Sequence, residues 1–390
     1  MKLKLLPLTI GGFGIGMTEF VIMGVLPDVA RDLHISIPTA GHLISAYALG
    51  VVCGAPLLTA LAGKMAPQKT LAALMVLFAV GNALSSFAPG YVLMLLTRFI
   101  SGLPHGAFFG VGAVVAGRLA DPGKEAQAIA TMFAGLTIAN IFGVPAGTFI
   151  GHNFSWRITF VIVAVVGLVA VWSIKRWLPR LPAAKEANLA RELKVFSRLE
   201  LWLILGIIMI GTGGFFAWFS YIAPLLINVT GFGSNDVTWN LIIAGFGMLV
   251  GNTMGGRMAD RFSPIKATCW LLLSMVVALI AVSFAAEYKV TSVIMTFTTG
   301  AIAFAMIAPI QMLMINAAKG AEMLGSAVSQ GAFNVSNALG AYLGGLPLAA
   351  GYGYTSPQWV GAALALGGFF IAATVLISSN KTPELKPATV

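Results

Sequence analysis

Three ionisable residues stand inside long apolar runs of the sequence, where a charge is difficult to accommodate. Glu19 is the only acidic residue well inside such a run, and Arg98 and His105 lie seven residues apart in another. An ionisable group at membrane depth is energetically costly and points to a functional site. A carboxyl in an apolar cavity is suited to loading and releasing protons. We therefore predict a proton-coupling set of Glu19, Arg98 and His105.

The depths of these residues allow them to interact. Glu19 lies about eight residues from the outer end of its run and Arg98 about seven from the outer end of its own, which places both roughly 10–12 Å below the surface. Opposite charges at matched depth can pair, and protonation of Glu19 would weaken the pair and bias one conformation over another. His105 follows Arg98 by two helical turns on nearly the same face, so it could extend a proton path.

Each of the three residues also has a structural interpretation. Glu19 could be a permanently paired carboxylate that holds two helices together. Arg98 could donate only to backbone carbonyls at a helix crossing, and His105 could be a neutral, hydrogen-bonded histidine in a glycine-rich crossing.

The composition identifies the solvent of most of the chain as lipid. Of 390 residues, 58% are hydrophobic and 9% are charged, against about 25% charged in soluble domains. The mean hydropathy is +0.92. The net charge of +10 does not indicate nucleic-acid binding, because the basic residues form short clusters between apolar runs, as membrane topology places them. Cys53 and Cys269 both lie in apolar runs, so we expect neither a disulfide nor a metal site.

The apolar runs predict an all-α membrane protein. A spanning helix needs about 20 mostly apolar residues. Twelve runs meet this requirement, at 6–27, 40–62, 69–88, 91–117, 126–150, 158–178, 201–227, 237–257, 267–285, 291–316, 322–350 and 358–378.

The distribution of Lys and Arg predicts the orientation. With the N-terminus in the cytoplasm, 19 of the 23 basic residues fall on the cytoplasmic side. The outer side then holds Arg31, Arg157 and Lys289, and both termini are cytoplasmic. The expected organisation is a six-helix bundle over 1–178, a cytoplasmic linker over 179–200, a second six-helix bundle over 201–378 and a tail over 379–390.

The two bundles repeat each other at an offset of 197 residues. The offset relates glycines, a proline, basic pairs and an asparagine in the first five spans to their counterparts in the second half; among the pairs are Gly14 and Gly211, Pro27 and Pro224, and Asn140 and Asn337. Two parallel six-helix halves with a cavity between them at the bilayer midplane form a transporter architecture.

Several motifs resemble those of the major facilitator superfamily over the whole chain. The sequence Gly256-Arg-Met-Ala-Asp260-Arg261-Phe, followed by Lys266, is similar to the loop that follows the eighth span in that family, with Ser263 in place of its second glycine. Arg98-Phe-Ile-Ser-Gly102 resembles its intramembrane arginine motif. The resemblance implies twelve helices in two pseudo-symmetric halves and a conformational role for Gly256, Asp260, Arg261 and Lys266.

Other motifs resemble the twelve-span drug/proton antiporter branch of the family, and within it the AraJ-like efflux proteins. They are Gly16–Phe20, Pro104–Gly110 and a partial Gly-Pro-Gly motif at Gly143, Pro145 and Gly147. The resemblance implies proton-coupled efflux by a monomer. Pro145 also predicts a kink in the fifth span.

Aromatic and amide side chains predict a solute cavity between the halves. By family resemblance the first and seventh spans are central, and the eleventh span carries amides at helical spacing. Aromatic walls with a few amides suit an apolar or amphipathic solute. The predicted lining residues are Tyr47, Phe216, Trp218, Tyr221, Gln330, Asn334 and Asn337.

These observations favour a transporter over an enzyme. No Ser-His-Asp or Cys-His arrangement has its members at one depth, and no phosphate-binding Walker loop is present, so we expect no catalytic set, cofactor, metal or ATP use. The expected function is export of small hydrophobic or amphipathic solutes in exchange for protons across the bacterial cytoplasmic (inner) membrane. A sugar-like solute, an uptake symporter and a non-transporting membrane sensor are the alternatives. The expected partners are a small-molecule solute, protons and the lipid bilayer, with no nucleic acid.

Overall fold

The computed structural model describes residues 2–62, 65–121, 125–182, 197–319 and 322–381, and this part of the chain contains helices and no strands. We number the spanning helices α1 to α12. The first half holds α1 (Lys2–Gly24), α2 (Ile37–Ala62), α3 (Pro67–Ser86), α4 (Tyr91–Leu119), α5 (125–150) and α6 (Trp156–Trp177). The second half holds α7 (199–228), α8 (Ser234–Phe262), α9 (Pro264–Ala285), α10 (289–317), α11 (Glu322–Ala349) and α12 (Ser356–Lys381). A short helix, Leu26–Asp32, joins α1 to α2.

Twelve spanning helices are confirmed. Within the described ranges, ten helical segments are long and apolar enough to cross a membrane, and one of them covers 50 residues, 128–177. At 1.5 Å per residue this segment would be about 75 Å long, far beyond the roughly 30 Å of a bilayer core. It is interrupted at Ser155, which has an extended backbone and caps α6 by accepting from the Arg157 amide. With this division and α11, the count is twelve, and every predicted boundary is within five residues of the observed one.

Two of the central helices are irregular. In α5 a π-helical turn, Ala139–Gly143, ends two residues before Pro145. Proline has no N–H to donate to the carbonyl four residues earlier, so the regular ladder fails in this turn. The hydrogen-bond ladder of the fifth span is thus irregular next to Pro145, while a kink there stays a prediction. In α7 a similar turn, Ile207–Gly211, divides the helix, which is interrupted again after Phe219.

Glycines allow the same close helix crossings in both halves. A Cβ atom on Gly50 of α2 would press on the Phe99 carbonyl of α4, and one on Gly247 of α8 would press on the Phe297 carbonyl of α10. The backbones can approach this closely only because these positions carry no side chain. The crossings therefore follow the sequence repeat in three dimensions.

The turn between α8 and α9 is tighter than the sequence predicts. We expected a loop here, but α8 continues to Phe262 and α9 begins at Pro264. Ser263 alone makes the turn, with φ 75° and ψ 145°, a conformation that favours glycine. The superfamily's glycine at this position is thus explained by the backbone, and the serine here is strained.

Candidate functional site

Arg98 lies at the centre of a polar cluster in the first half. Its side chain is completely buried in α4. Nη1 donates to Thr18 Oγ1 of α1 at 3.0 Å. The guanidinium carbon lies 4.5 Å from the centroid of the Tyr47 ring and 5.5 Å from that of Phe160, so α2 and α6 supply aromatic faces for the cation.

Two further hydrogen bonds fix the position of Thr18. The Thr18 hydroxyl donates to Asn82 Oδ1 of α3, and Asn82 Nδ2 donates to the Phe78 carbonyl at 2.9 Å. Both side chains are fully buried. Thr18 and Asn82 were not among the residues selected from the sequence, because an uncharged hydroxyl and a single amide give no signal inside an apolar run. The adjacency of Thr18 to Glu19 was the available clue.

His105 joins this cluster through Tyr47. The Tyr47 hydroxyl and His105 Nδ1 are 3.1 Å apart, and the imidazole packs edge-on against Phe109. Both residues are almost completely buried. The structure therefore brings the predicted Arg98 and His105 together, with the Tyr47 side chain between them.

Glu19 lies next to Arg98 but does not form an ion pair with it. The Glu19 side chain is 6% exposed and within electrostatic range of both Arg98 and Tyr47. The described residues contain no Glu19–Arg98 ion pair within 4 Å, so the pairing that the matched depths allow is not formed in this conformation. Arg98 bonds Thr18 instead, which leaves the Glu19 carboxyl free to interact elsewhere. The side chain beside it from the second half is Asn337 of α11.

Several buried polar atoms around this cluster have no hydrogen-bond partner. They are Arg98 Nε and Nη2, Asn334 Oδ1 and both amide atoms of Asn337. A buried polar group without a partner is unfavourable by about 1–3 kcal/mol and calls for an explanation. Such atoms, gathered beside an intramembrane carboxyl, are suited to bind a proton, water or a polar group of a solute.

The residues predicted to line a cavity are not gathered around one open space in this conformation. All of them except Gln330 are less than a tenth exposed. Tyr47 belongs to the Arg98 cluster, whereas Phe216 and Trp218 pack with Phe215 in the second half. Gln330 and Asn334 are joined along α11 by a bond from Asn334 Nδ2 to the Gln330 carbonyl.

Tyr221 occupies the boundary between the halves. Its hydroxyl donates to the Ala341 carbonyl of α11 at 2.7 Å. The same hydroxyl would clash with a Cβ atom at Gly41 of α2 or at Gly345 of α11. Tyr221 is therefore a contact of the interface rather than a side chain that faces an open cavity.

The contacts between the two halves concentrate toward one end of the molecule, which we call the outer end. The opposite end, where Met65 and Phe262 lie, is called the basic end. Ser45 of α2 donates to the Ala338 carbonyl at 3.1 Å. Asn153 Nδ2 donates to Asn235 Oδ1 at 2.6 Å across the outer end. Asn235 Nδ2 donates in return to Asn153 Oδ1 at 3.3 Å. The structure is thus of a conformation closed at the outer end.

An ionic cluster at the outer end was not predicted. The His152 side chain is 2% exposed, and its Nδ1 lies 2.5 Å from Asp28 Oδ2. Arg157 donates to both Asp32 and the Ala88 carbonyl. The Arg157 guanidinium, aided by the Trp156 indole, holds the pKa of the Asp32 carboxyl below its usual value. These loops are far apart in the sequence, so no periodic pattern reveals the contacts.

The remaining predicted residues lie at helix ends and crossings. Gly256 and Arg261 are in the last turns of α8, and Lys266 is an exposed residue at the start of α9. The side chain of Asp260 lies outside the described part. Gly143 and Gly147 of α5 pack against α1, where a Cβ atom would press on Phe13 and Val21, respectively.

Two apolar grooves lie on the flanks of the bundle. One, of about 360 Å³, lies between α5 and α8 and includes Phe142, Pro145 and Thr238. The other, of about 300 Å³, lies between α9 and α12. The Phe142 side chain is 65% exposed, as expected of a surface that faces lipid. Neither groove contains Glu19, Arg98 or His105.

Twelve membrane-spanning helices in two repeated halves, with an ionisable cluster at membrane depth, define a multi-pass membrane protein of the transporter class. The sequence profile of the Major Facilitator Superfamily matches residues 8–344. The chain belongs to this superfamily, and the fold and family predictions are confirmed. Membership also indicates a transporter rather than an enzyme.

Proteins similar to this chain carry transport-related names. It is 40% identical to "Putative transporter AraJ" of Escherichia coli K12, covering 97% of this chain and 95% of that one. It is 42% identical to "Inner membrane transport protein YdhP" of the same strain, over 97% of each chain. It is 29% identical to a "Chloramphenicol resistance protein" of Streptomyces lividans, over 97% of this chain and 96% of that one.

A solved structure has the same fold. The inward-facing, unoccupied structure of a bacterial homologue of the human lysosomal transporter Spinster has a TM-score of 0.75. It shares 15% sequence identity with this chain, and the match covers 99% of this chain and 98% of that one.

Proposed function

We propose that the protein exports small hydrophobic or amphipathic solutes in exchange for protons, by alternating access. The observation that carries this proposal is the buried Glu19 carboxyl, which lies beside Arg98 in the first half and Asn337 in the second. A carboxyl in this place can bind a proton when the solute site is empty and release it when the two halves rearrange. Glu19 is the proton carrier, and Arg98, Tyr47 and His105 form its surroundings.

The nature of the solute is supported by a relative and by the residues around the site. The similar Streptomyces protein is named for resistance to chloramphenicol, a property that efflux of a small molecule would produce. Phe20 of α1 packs edge-on against Phe219 of α7 across the two halves. Aromatic surfaces of this kind bind apolar parts of a solute, while the Asn334 and Asn337 amides can bind its polar part.

The protein acts in the bacterial cytoplasmic membrane as a monomer, with both termini in the cytoplasm. The similar YdhP protein is named an inner membrane transport protein. The excess of Lys and Arg at the basic end puts that end in the cytoplasm. On this orientation the described conformation is closed to the outside.

A sugar-like solute is the second candidate. The unpartnered atoms of Asn334 and Asn337 favour it, because a polyol supplies the many hydrogen-bond donors and acceptors that such amides lack.

The experiment is driven flux in proteoliposomes of the wild type, Glu19→Gln and Glu287→Gln. Glu287 is an exposed carboxylate, so its variant controls for the loss of one charge. A pH gradient is imposed, and the efflux of a lipophilic cation and of a labelled pentose is followed in parallel. We expect the gradient to drive the cation, Glu19→Gln to abolish driven flux but keep exchange, and the control to match the wild type. Driven pentose flux would select the sugar-like candidate, and undiminished driven flux in Glu19→Gln would overturn the assignment of the proton carrier.

A further inference from the structure

Asn337 is unusual among the buried polar residues of the second half. Its side chain is completely buried, and neither its amide oxygen nor its amide nitrogen has a hydrogen-bond partner. It nevertheless lies beside the Glu19 carboxyl, which belongs to the other half of the molecule. Burial of an amide without well-formed hydrogen bonds is unfavourable, so the placement of Asn337 next to Glu19 needs an explanation.

The residues on either side hold Asn337 in this position. The Ser336 hydroxyl is 2.6 Å from the Thr212 hydroxyl of α7, and the Ala338 carbonyl accepts from Ser45 of α2 at 3.1 Å. Tyr47, two residues after Ser45, is within electrostatic range of Glu19. Three consecutive residues of α11 therefore interact with α7, Glu19 and α2, so Asn337 is held beside the carboxyl by contacts that do not involve its amide.

An amide can distinguish a protonated carboxyl from a carboxylate. A protonated carboxyl has one donor and one acceptor, which match the oxygen and the nitrogen of the Asn side chain in a pair of hydrogen bonds. A carboxylate has only acceptors, so the Asn oxygen stays without a donor and its burial remains unfavourable. The paired arrangement is thus available only while the proton is bound.

We propose that Asn337 senses the protonation state of Glu19 and transmits it to the second half. This inference rests on the proposed function, because it takes Glu19 as the proton carrier. The acid–amide pair joins α1 to α11 and stabilises the conformation that is closed at the outer end. When the proton leaves, the pair is lost, Glu19 interacts with Arg98 instead, and the outer ends can separate.

The direction of this coupling suits antiport. A proton that enters from the outside closes the outer end, and on the other side the solute displaces it before the halves open outward again. The titratable or charged groups that face Glu19 are Arg98 of α4 and Tyr47 of α2, with His105 behind Tyr47. A Glu19 variant is therefore needed to separate the titration of Glu19 from the titration of these neighbouring groups.

The test measures the opening of the basic end by the distance between two spin labels. Met65→Cys and Phe262→Cys place the labels on exposed, repeat-related positions of the two halves, with Cys53→Ser and Cys269→Ala removing the native thiols. In alternating access the basic end opens as the outer end closes. We expect the fraction of long distances in the wild type to rise as the pH falls. We expect Glu19→Gln to hold the low-pH distribution at every pH, because the glutamine amide can also pair with Asn337.

The decisive variants change Asn337. Asn337→Ala removes the amide and its interaction with Glu19, and Asn337→Leu does the same while keeping the side-chain volume, in case the alanine variant does not fold. Both should reduce the pH-dependent change about fivefold or more. Asn337→Gln, which keeps an amide, should restore part of it. Thr299→Ala is the matched control, because Thr299 of α10 is also a completely buried residue of the second half whose polar atom has no hydrogen-bond partner, and it should behave like the wild type.

The outcomes separate this inference from the proposed function. If Asn337→Ala and Asn337→Leu titrate like the wild type while Glu19→Gln does not, the role of Asn337 is overturned and Glu19 remains the carrier. If Glu19→Gln itself titrates like the wild type, the proposed function fails at its proton carrier. If Thr299→Ala loses the response as well, loss of any unpartnered polar group of the second half has the same effect and the specific pair is contradicted.

Discussion

The two halves of the molecule share a scaffold but not its chemistry. Gly102 of α4 crosses the Tyr47 carbonyl of α2, and Gly300 of α10 crosses the Ala244 carbonyl of α8 in the same way. Gly16 meets α5 at Ala139, and Gly213, its repeat partner, meets α11 at Ser336. The glycine contacts that bring helices together were thus retained in both copies.

The ionisable residues of the first half have uncharged counterparts in the second. The offset of 197 pairs Glu19 with Phe216 and Tyr47 with Ala244. In α4 and α10 the crossing glycines are 198 residues apart, which pairs Arg98 with Thr296 and His105 with Ala303. All four counterparts are buried. The ionisable residues of this set therefore belong to the first half, and on the proposed function the second half responds to them through neutral groups.

The largest expected effect on transport comes from replacing Arg98 with threonine, the residue at the corresponding position of the second half. Arg98→Thr removes the guanidinium that bonds Thr18 and stacks on Tyr47. Interactions of a buried charged group are each worth about 1.5–3 kcal/mol, so we expect gradient-driven flux to fall about 100-fold. Arg98→Lys keeps the charge but lacks the planar guanidinium, so its driven flux should lie between those of Arg98→Thr and the wild type. The control Thr296→Ala should stay near wild-type flux; equal losses in both halves would contradict the asymmetry.

The shared scaffold can be tested by a matched pair of glycine substitutions. A Cβ atom at Gly102 would overlap the Tyr47 carbonyl oxygen, whereas one at Gly300 would lie 2.9 Å from the Ala244 carbonyl oxygen. Overpacking typically destabilises by about 1–3 kcal/mol, against a gain of about 1 kcal/mol for alanine in a helix. Gly102→Ala should therefore lower the melting temperature in detergent, and Gly300→Ala should lower it less. A reversed order would show that the two crossings are not equivalent.

A smaller effect is expected from one hydroxyl of the cluster. Tyr47→Phe keeps the ring under Arg98 but removes the bond to His105. A single hydrogen bond is worth about 0.5–1.5 kcal/mol, so driven flux should fall about threefold to tenfold. Tyr221→Phe, which loses a buried hydroxyl of the second half, is the control. It separates loss of the Tyr47–His105 bond from loss of a buried hydroxyl in general. Unchanged flux in Tyr47→Phe would remove His105 from the proton path.

The smallest expected effect is the pH dependence of the outer ionic cluster. Arg157 lowers the pKa of Asp32, so the contact stabilises the folded protein at neutral pH and this contribution is lost as the pH falls through the lowered pKa. Asp32 is 46% exposed, so solvent screening limits the contribution to at most about 1 kcal/mol. Asp32→Asn should melt slightly below the wild type at neutral pH, and the difference should disappear in strong acid. A difference in melting temperature that grows in acid would contradict the stabilisation by the lowered pKa of Asp32.

The fold was predictable because lipid imposes a simple rule on sequence. Apolar runs of sufficient length and the clusters of Lys and Arg between them are local features, and they located every span. The irregular turn in α5 followed in the same way from Pro145. The turn at Ser263 was predicted as a loop, because the sequence does not show how far α8 continues past the last apolar residue.

The site was predictable where a residue type is costly in its surroundings. Glu19, Arg98 and His105 stand out because charge or a titratable ring is rare at that depth. Thr18 and Asn82 do not, since their roles depend on which helices meet. The contact between Glu19 and Asn337 depends on how the halves pack in one conformation, and neither periodicity nor composition carries that information.

The central claim is that Glu19 carries the proton that the solute displaces. The most direct measurement is proton release from purified protein in weakly buffered detergent solution, followed with a pH indicator while a lipophilic cation is added. The wild type and Glu287→Gln should release protons in proportion to the solute bound, and Glu19→Gln should bind the solute without releasing them. Equal release from Glu19→Gln and the wild type would contradict the claim and place the proton site elsewhere in the protein.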